Sequence, residues 1–236
     1  MSTPALPTTP INATMQEALL VDGRPRTEVV LIRHGQQHYA SLDTAQADFI
    51  DPPLSATGRS QAQLLGRRLQ AAPVEVIYSS GMRRARETAG LAAGACSPPP
   101  PHEIVTALHE ADIYRSVPAG TKINEFLSPA QLHDMGREFV RTRSFDAFFT
   151  GESSKELRFR ASETITSLVD QHRGGRFAVV CHGGLLNALL ADVLGMDTDM
   201  FFFPAHASVT TAYHGDDRWA LGSLNSTSHL GEHLTF

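Results

Sequence analysis

Apolar positions in this chain fall into two kinds of run: short unbroken blocks, and longer stretches that repeat every three or four residues. The clearest blocks are Val29-Val30-Leu31-Ile32 and Phe177-Ala178-Val179-Val180-Cys181. Continuous apolar runs of this length, rich in β-branched residues, read as strands buried on both faces. Each stops abruptly at a histidine followed by glycine, in Arg33-His34-Gly35 and in His182-Gly183-Gly184. The ligand crevice of an open parallel sheet lies beyond the carboxyl ends of its strands. If the two strands are neighbours, both imidazoles enter one crevice.

Between and beyond these blocks the pattern alternates. A helix is expected from the N-cap Thr57 through Gln70, with Ala62, Leu65 and Leu69 on its apolar face. Pro73 breaks it, and Val74 to Tyr78 reads as a strand. A helix follows from about Ser79 or Ser80, either of which would cap it. Pro98 to Pro101 form a stiff spacer, and a short apolar alternation runs from Ile104 to Leu108. From Ala111 to about Thr150 the repeat is helical but irregular, weighted by Phe126, Phe139, Phe145, Phe148 and Phe149; it reads as a helical cap inserted over the crevice. Leu157 to Gln171 is amphipathic, with Phe159, Ile165, Leu168 and Val169 as its buried points, and Gly174-Gly175 ends it. A helix from Gly184 to Leu194 follows the second histidine. Phe201-Phe202-Phe203 should pack in the core. Val209 to Tyr213 and Trp219 to Ser223 form a closing hairpin around Gly215-Asp216-Asp217. Residues 1–26, rich in Pro, Thr and Ala, read as an arm that packs its Ala18 to Val21 patch on the body; 27–236 form the domain.

Composition narrows the function classes. With 236 residues, 42% hydrophobic and 19% charged, the chain can bury a real core and is not disordered as a whole. A formal net charge of -5 gives no bulk attraction for nucleic acid or an anionic membrane, so neither is expected as a partner. No apolar run approaches the ~20 residues that span a bilayer, and the N-terminus has no signal-peptide pattern. Cys96 and Cys181 make no disulfide framework, and a reducing, cytoplasmic location is expected. Any anion must therefore be held by a local cluster of positive charge.

One such cluster is visible. Arg83, Arg84 and Arg86 open a helix, where positive charge opposes the macrodipole. That placement makes sense if an anion shares the helix end with a guanidinium. The connection from Gln36 to Pro53 is long for a strand–helix loop, and such loops concentrate function. His38 and Tyr39 lie in it.

Taken together, the motifs resemble the histidine phosphatase superfamily, also called phosphoglycerate mutase-like. The resemblance spans about residues 27 to 230. It rests on Arg33-His34-Gly35, Leu54 to Ala62, Ser79-Ser80 with Arg84 to Ala89, Leu108-His109-Glu110, Gly151-Glu152-Ser153 and Cys181 to Gly184. The tail through Ala207-Ser208-Val209, Trp219 and Asn225 to Leu230 is similar to that of the phosphatase members. The resemblance implies an α/β fold, a three-layer α/β/α sandwich with a mostly parallel central sheet, and no metal or other cofactor. It implies that His34 is a nucleophile that becomes phosphorylated, that Arg33, Arg84 and His182 complete the phosphoryl pocket, and that Glu110 donates the proton to the leaving group. After that glutamate many relatives carry a glycine and Trp-Glu-Gly, where this chain reads Ala111-Asp112-Ile113-Tyr114-Arg115; Glu152 and Asp112 are the alternative donors. Gln36, His38, Glu152, Ser153 and His206 complete the set of candidate substrate contacts.

The expected activity is thus phosphate monoester hydrolysis through phosphohistidine on a small phosphorylated substrate, with a phosphoprotein also open. The alternatives are mutase-type transfer to a sugar acid and a non-catalytic protein-binding member of the fold. Presence of all four pocket residues counts against the last. A homodimer is left open.

Overall fold

The computed structural model describes residues 10–20, 23 and 25–236. It contains strands β1 (Thr27–Arg33), β2 (Ile77–Ser79), β3 (His102–Ile104), β4 (Arg176–Cys181), β5 (Val209–Gly215) and β6 (Arg218–Ser226). Its helices are α1 (Pro10–Ala18), α2 (Gln46–Ile50), α3 (Ala56–Ala71), α4 (Arg83–Gly94), α5 (Ile123–Phe126), α6 (Pro129–Thr142), α7 (Ser154–Gln171) and α8 (Gly183–Leu194). The strands form one sheet in the order β3-β2-β4-β1-β5-β6. The first four in that order are parallel, and the β5–β6 hairpin closes the edge antiparallel.

Alternation along the two central strands builds the layers. Val29, Leu31, Phe177, Val179 and Cys181 face one side and pack with Leu157, Ile165, Leu168 and Leu185 of α7 and α8. Val30, Ile32, Ala178 and Val180 face the other, against Leu65, Leu69, Ala85 and Ala89 of α3 and α4. Each large aliphatic side chain so buried stabilises the fold by ~1.5–3 kcal/mol relative to exposure. The result is the expected three-layer α/β/α architecture. Among the described residues no helix is long and apolar enough to cross a membrane.

Several expectations need correction. Helix α3 is capped by Ser55, whose side chain accepts from Gly58 N at 3.1 Å, and Thr57 already lies inside the first turn. Neither Ser79 nor Ser80 caps α4: Ser80 Oγ accepts from Met82 N, and Asp51 Oδ1 reaches across to accept from Arg83 N at 2.7 Å. The second strand begins at Ile77, since Glu75 and Val76 bond only to the β4 side. Phe159 is exposed rather than buried, and so are Phe126, Phe149 and Phe203.

The inserted helical segment packs against the cleft residues Phe49 and Tyr114. Helices α5 and α6 enclose their own cluster of Val117, Ile123, Leu127 and Met135. Only its start, Ala111 to Tyr114, lines the cleft. The opposite wall is the connection after β1, which is pinned to the cap by Gln46 N bonding to Thr121 O and by the Ala45–Lys122 bridge. Of the expected N-terminal arm, residues 10–18 are helical, Leu20 is buried and Arg26 lies 3.7 Å over the Tyr213 ring. Residues 1–9, 21, 22 and 24 lie outside the described residues, and Val21 of the apolar patch with them.

Candidate active site

Register brings the two histidines together. Arg33 pairs with Cys181 across the parallel β1–β4 ladder, and His34 N donates to Cys181 O at 3.0 Å, so His34 and His182 leave the sheet side by side. Their ring centroids are 5.1 Å apart. Both are buried, at 3% and 0% exposure.

The orientation of the His34 ring follows from its two bonds. Nδ1 lies 2.7 Å from Gly35 O, a pure acceptor, so Nδ1 carries the proton. Nε2 is then a bare lone pair and accepts from Arg84 Nε at 3.1 Å. The backbone that makes this bond is tightly held. A Cβ on Gly35 would come 2.6 Å from Gly58 O, and one on Gly58 would come 2.0 Å from Gln36 O. Gly35 N donates to Thr88 Oγ1 of α4, and Gln36 N to Gln61 Oε1 of α3. The loop carrying His34 is thus clamped between two helices, with glycine at the point of closest approach.

Positive charge surrounds the ring. Arg84, in the first turn of α4, is buried and directs NH1 at Ile50 O at 2.7 Å. Its nearest carboxylate, Asp51, lies 3.8 Å away, beyond hydrogen-bond reach. Arg33 donates to Pro204 O, and its guanidinium stacks 5.0 Å over the Phe203 ring. Burial brings the Arg33 pKa down to about 10, with Glu110 partly opposing and Arg84 adding to the fall. Burial, then Arg84, His182 and Arg33, hold the His34 imidazole well below its ordinary range. Burial and Arg84 do the same to His182. Arg33 Nε and both ring nitrogens of His182 are buried and have no hydrogen-bond partner among the described residues. Buried polar groups without partners are costly, so a cluster of them beside the His34 ring suits an anion with several acceptor oxygens.

Glu110 sits across the cleft at the N-terminus of α8. Its Oε1 accepts from Ala111 N at 2.9 Å and Leu185 N at 3.1 Å, and Oε2 accepts from Gly184 N at 3.2 Å. A Cβ on Gly184 would fall 2.6 Å from that carboxylate, so glycine is required there. Arg84 and Glu110 both line a cleft of about 610 Å³, as does His38.

The other candidates are placed differently. Glu152, buried, accepts from Arg160 Nε at 2.8 Å and NH2 at 2.7 Å, and Arg160 NH1 bonds the carbonyls of Ala107 and His109. It supports the segment carrying Glu110 rather than lining the cleft. Ser153 caps α7 in a reciprocal box with Glu156. Gln36 accepts from Ser55 Oγ at 2.7 Å. His206 lies close to the His34 ring, with centroids 5.9 Å apart, and its Nδ1 is 3.0 Å from Thr235 Oγ1. Burial lowers its pKa to about 3, Arg33 adding to the effect. Asp51 and Arg160 carry no mark in the sequence, and Phe203 and His109 enter there only as an expected core residue and as part of a motif. The Ser-x-x-Glu at Ser153 and Glu156 was a capping signal there to be read; nothing local marks Phe203.

Comparison with known proteins places these features in a lineage. A family described as the histidine phosphatase superfamily (branch 1) matches residues 29–227. A metal-independent phosphoserine phosphatase of Arabidopsis thaliana is 28% identical over 216 residues, covering 86% of this chain and 83% of its own. A probable phosphoglycerate mutase of Serratia proteamaculans is 27% identical over 169 residues, covering 72% of this chain and 75% of its own. The solved structure of Bacillus stearothermophilus YhfR superposes with a TM-score of 0.71 at 25% identity, covering 86% of this chain and 99% of that one.

Proposed function

The chain belongs to the histidine phosphatase superfamily, branch 1, and we propose that it hydrolyses phosphate monoesters through a phosphohistidine on His34 without a metal ion. One observation carries this reading. The Nδ1 bond to Gly35 O leaves Nε2 of His34 unprotonated, beside two guanidiniums and the unpartnered ring nitrogens of His182.

Phosphoryl transfer passes through a loose transition state with charge spread over three equatorial oxygens, so catalysis is chiefly positioning and electrostatic stabilisation. Arg33 and Arg84 supply fixed charge, and a planar fork bonds two oxygens at once. In the first step the Nε2 lone pair bonds to phosphorus as the ester P–O bond breaks, and Glu110, as the carboxylic acid, gives its proton to the departing oxygen. In the second, the Glu110 carboxylate takes a proton from water, whose oxygen bonds to phosphorus as the P–N bond breaks. Phosphate leaves and both residues return to their starting forms. Such general acid–base assistance is typically worth ~10²–10⁴-fold.

Phosphate release from a library of phosphate monoesters, with His34→Ala as control, tests the proposal; release unaffected by that substitution contradicts it. The mutase name carried by a relative supports a second reading. Incubation with phosphoglycerate and a bisphosphate primer separates the two, since isomer formation without free phosphate is the mutase outcome.

A further inference from the structure

The outer part of the cleft, beyond the phosphoryl pocket, has its own chemistry. Its walls carry Phe49 and Tyr114, edge to face with centroids 5.7 Å apart, together with Ile50, Ile113 and Met82. Arg84 is the one arginine or lysine among the described residues lining it, and the proposed reaction commits that guanidinium to the transferring phosphoryl group. Three carboxyl side chains, Asp51, Glu110 and Asp112, share the same lining. His38 and His109 add imidazoles but no fixed positive charge.

We infer that the leaving group this cleft accepts is apolar, about the size of an aromatic ring, and carries no anionic group of its own. The inference rests on the phosphatase reading for what occupies the inner pocket. A second anion on the substrate, such as the carboxylate of phosphoserine or phosphoglycerate, meets no guanidinium or ammonium lining the outer cleft and lies beside Asp51 and Asp112, which disfavour it. An aromatic leaving group instead buries its faces against Phe49, Tyr114 and Met82, in the edge and offset geometries such rings prefer. A cleft of about 610 Å³ holds a phosphoryl group and a ring together. Phe49, Met82 and Tyr114 are thus specificity-determining residues. The same charge distribution argues against phosphoglycerate as a mutase substrate.

Binding of non-hydrolysable phosphonates to the wild-type protein, measured by calorimetry, tests this without requiring turnover. Phenylpropyl phosphonate is expected to bind at least tenfold more tightly than the phosphonate analogue of phosphoserine. Met82→Lys, which places an ammonium in the outer cleft, is expected to narrow that ratio several-fold. Equal or tighter binding of the amino-acid phosphonate, or binding of neither, overturns the inference. Among alkyl phosphates, whose leaving groups are chemically matched, phenethyl phosphate should likewise exceed phosphoserine and phosphoglycerate in kcat/KM. The binding preference without phosphate release from any ester would defeat the phosphatase reading and leave this one standing; efficient release from phosphoserine would do the reverse.

Discussion

Arg84 Nε donates to the Nε2 of His34 at 3.1 Å, so the guanidinium that opens α4 after β2 and the proposed nucleophilic nitrogen that follows β1 share one site. The bond requires Nε2 to be unprotonated, and the Gly35 carbonyl on the other ring nitrogen enforces that tautomer. Arginine serves here because a planar fork can meet the ring and phosphoryl oxygens together, which a point-charge ammonium cannot. Arg84→Lys is therefore expected to lower kcat/KM by about 10²–10³-fold. A loss below threefold in steady-state assays contradicts that role.

Glu110 is expected to matter in proportion to how badly the leaving group needs a proton. With Glu110→Gln, kcat/KM for alkyl phosphates should fall ~10²–10⁴-fold. A nitrophenolate departs readily unprotonated, so nitrophenyl phosphate should suffer far less. Equal losses on both substrates would remove Glu110 from the role of acid.

Glu152 acts at one remove. Burial alone would raise its carboxyl, but the bonds and charge of Arg160, with the Asp112 N–H and His109, together hold it below the ordinary carboxylate range. Breaking a buried pair leaves an uncompensated charge, at a cost of ~3–5 kcal/mol when both partners are fully buried. Arg160 retains some exposure, so Glu152→Ala is expected to lower urea stability by about 3 kcal/mol. A change under 1 kcal/mol would show the pair to be incidental.

Acid should destabilise the protein early. Burial holds the imidazoles of His34 and His182 well below their ordinary range, and lowers His206 to about 3 and His229 to about 4. A base with a depressed folded pKa takes up protons first in the unfolded chain. Its contribution is therefore complete above the ordinary imidazole range near ~6.5 and is lost as pH falls toward the folded value. Each group adds a slope of up to ~1.4 kcal/mol per pH unit within that window. The urea midpoint should drop clearly between pH 7.5 and pH 5; a flat profile contradicts neutral burial.

How much of this was legible depended on where each partner lay in the chain. The two central strands and their histidines were plain, because unbroken apolar runs that stop at polar residues have few other readings. Arg84 stood out through its unfavourable place at a helix start. The supports did not. Asp51 caps α4 from another loop, Arg160 props the Glu110 segment from α7, and Phe203 lies beneath Arg33 from beyond α8. None of these pairings has a local pattern. Glu152 and Ser153, expected as candidate substrate contacts, are held by Arg160 and Glu156, near neighbours on α7.

The most direct test of the central claim is to quench the wild-type protein during turnover of a phosphate monoester under alkaline conditions and map the covalent phosphate by peptide mass spectrometry. Acid-labile phosphate on the peptide containing His34, absent in His34→Ala, is the expected result. Stable phosphate on a different residue, with none on His34, would contradict the account.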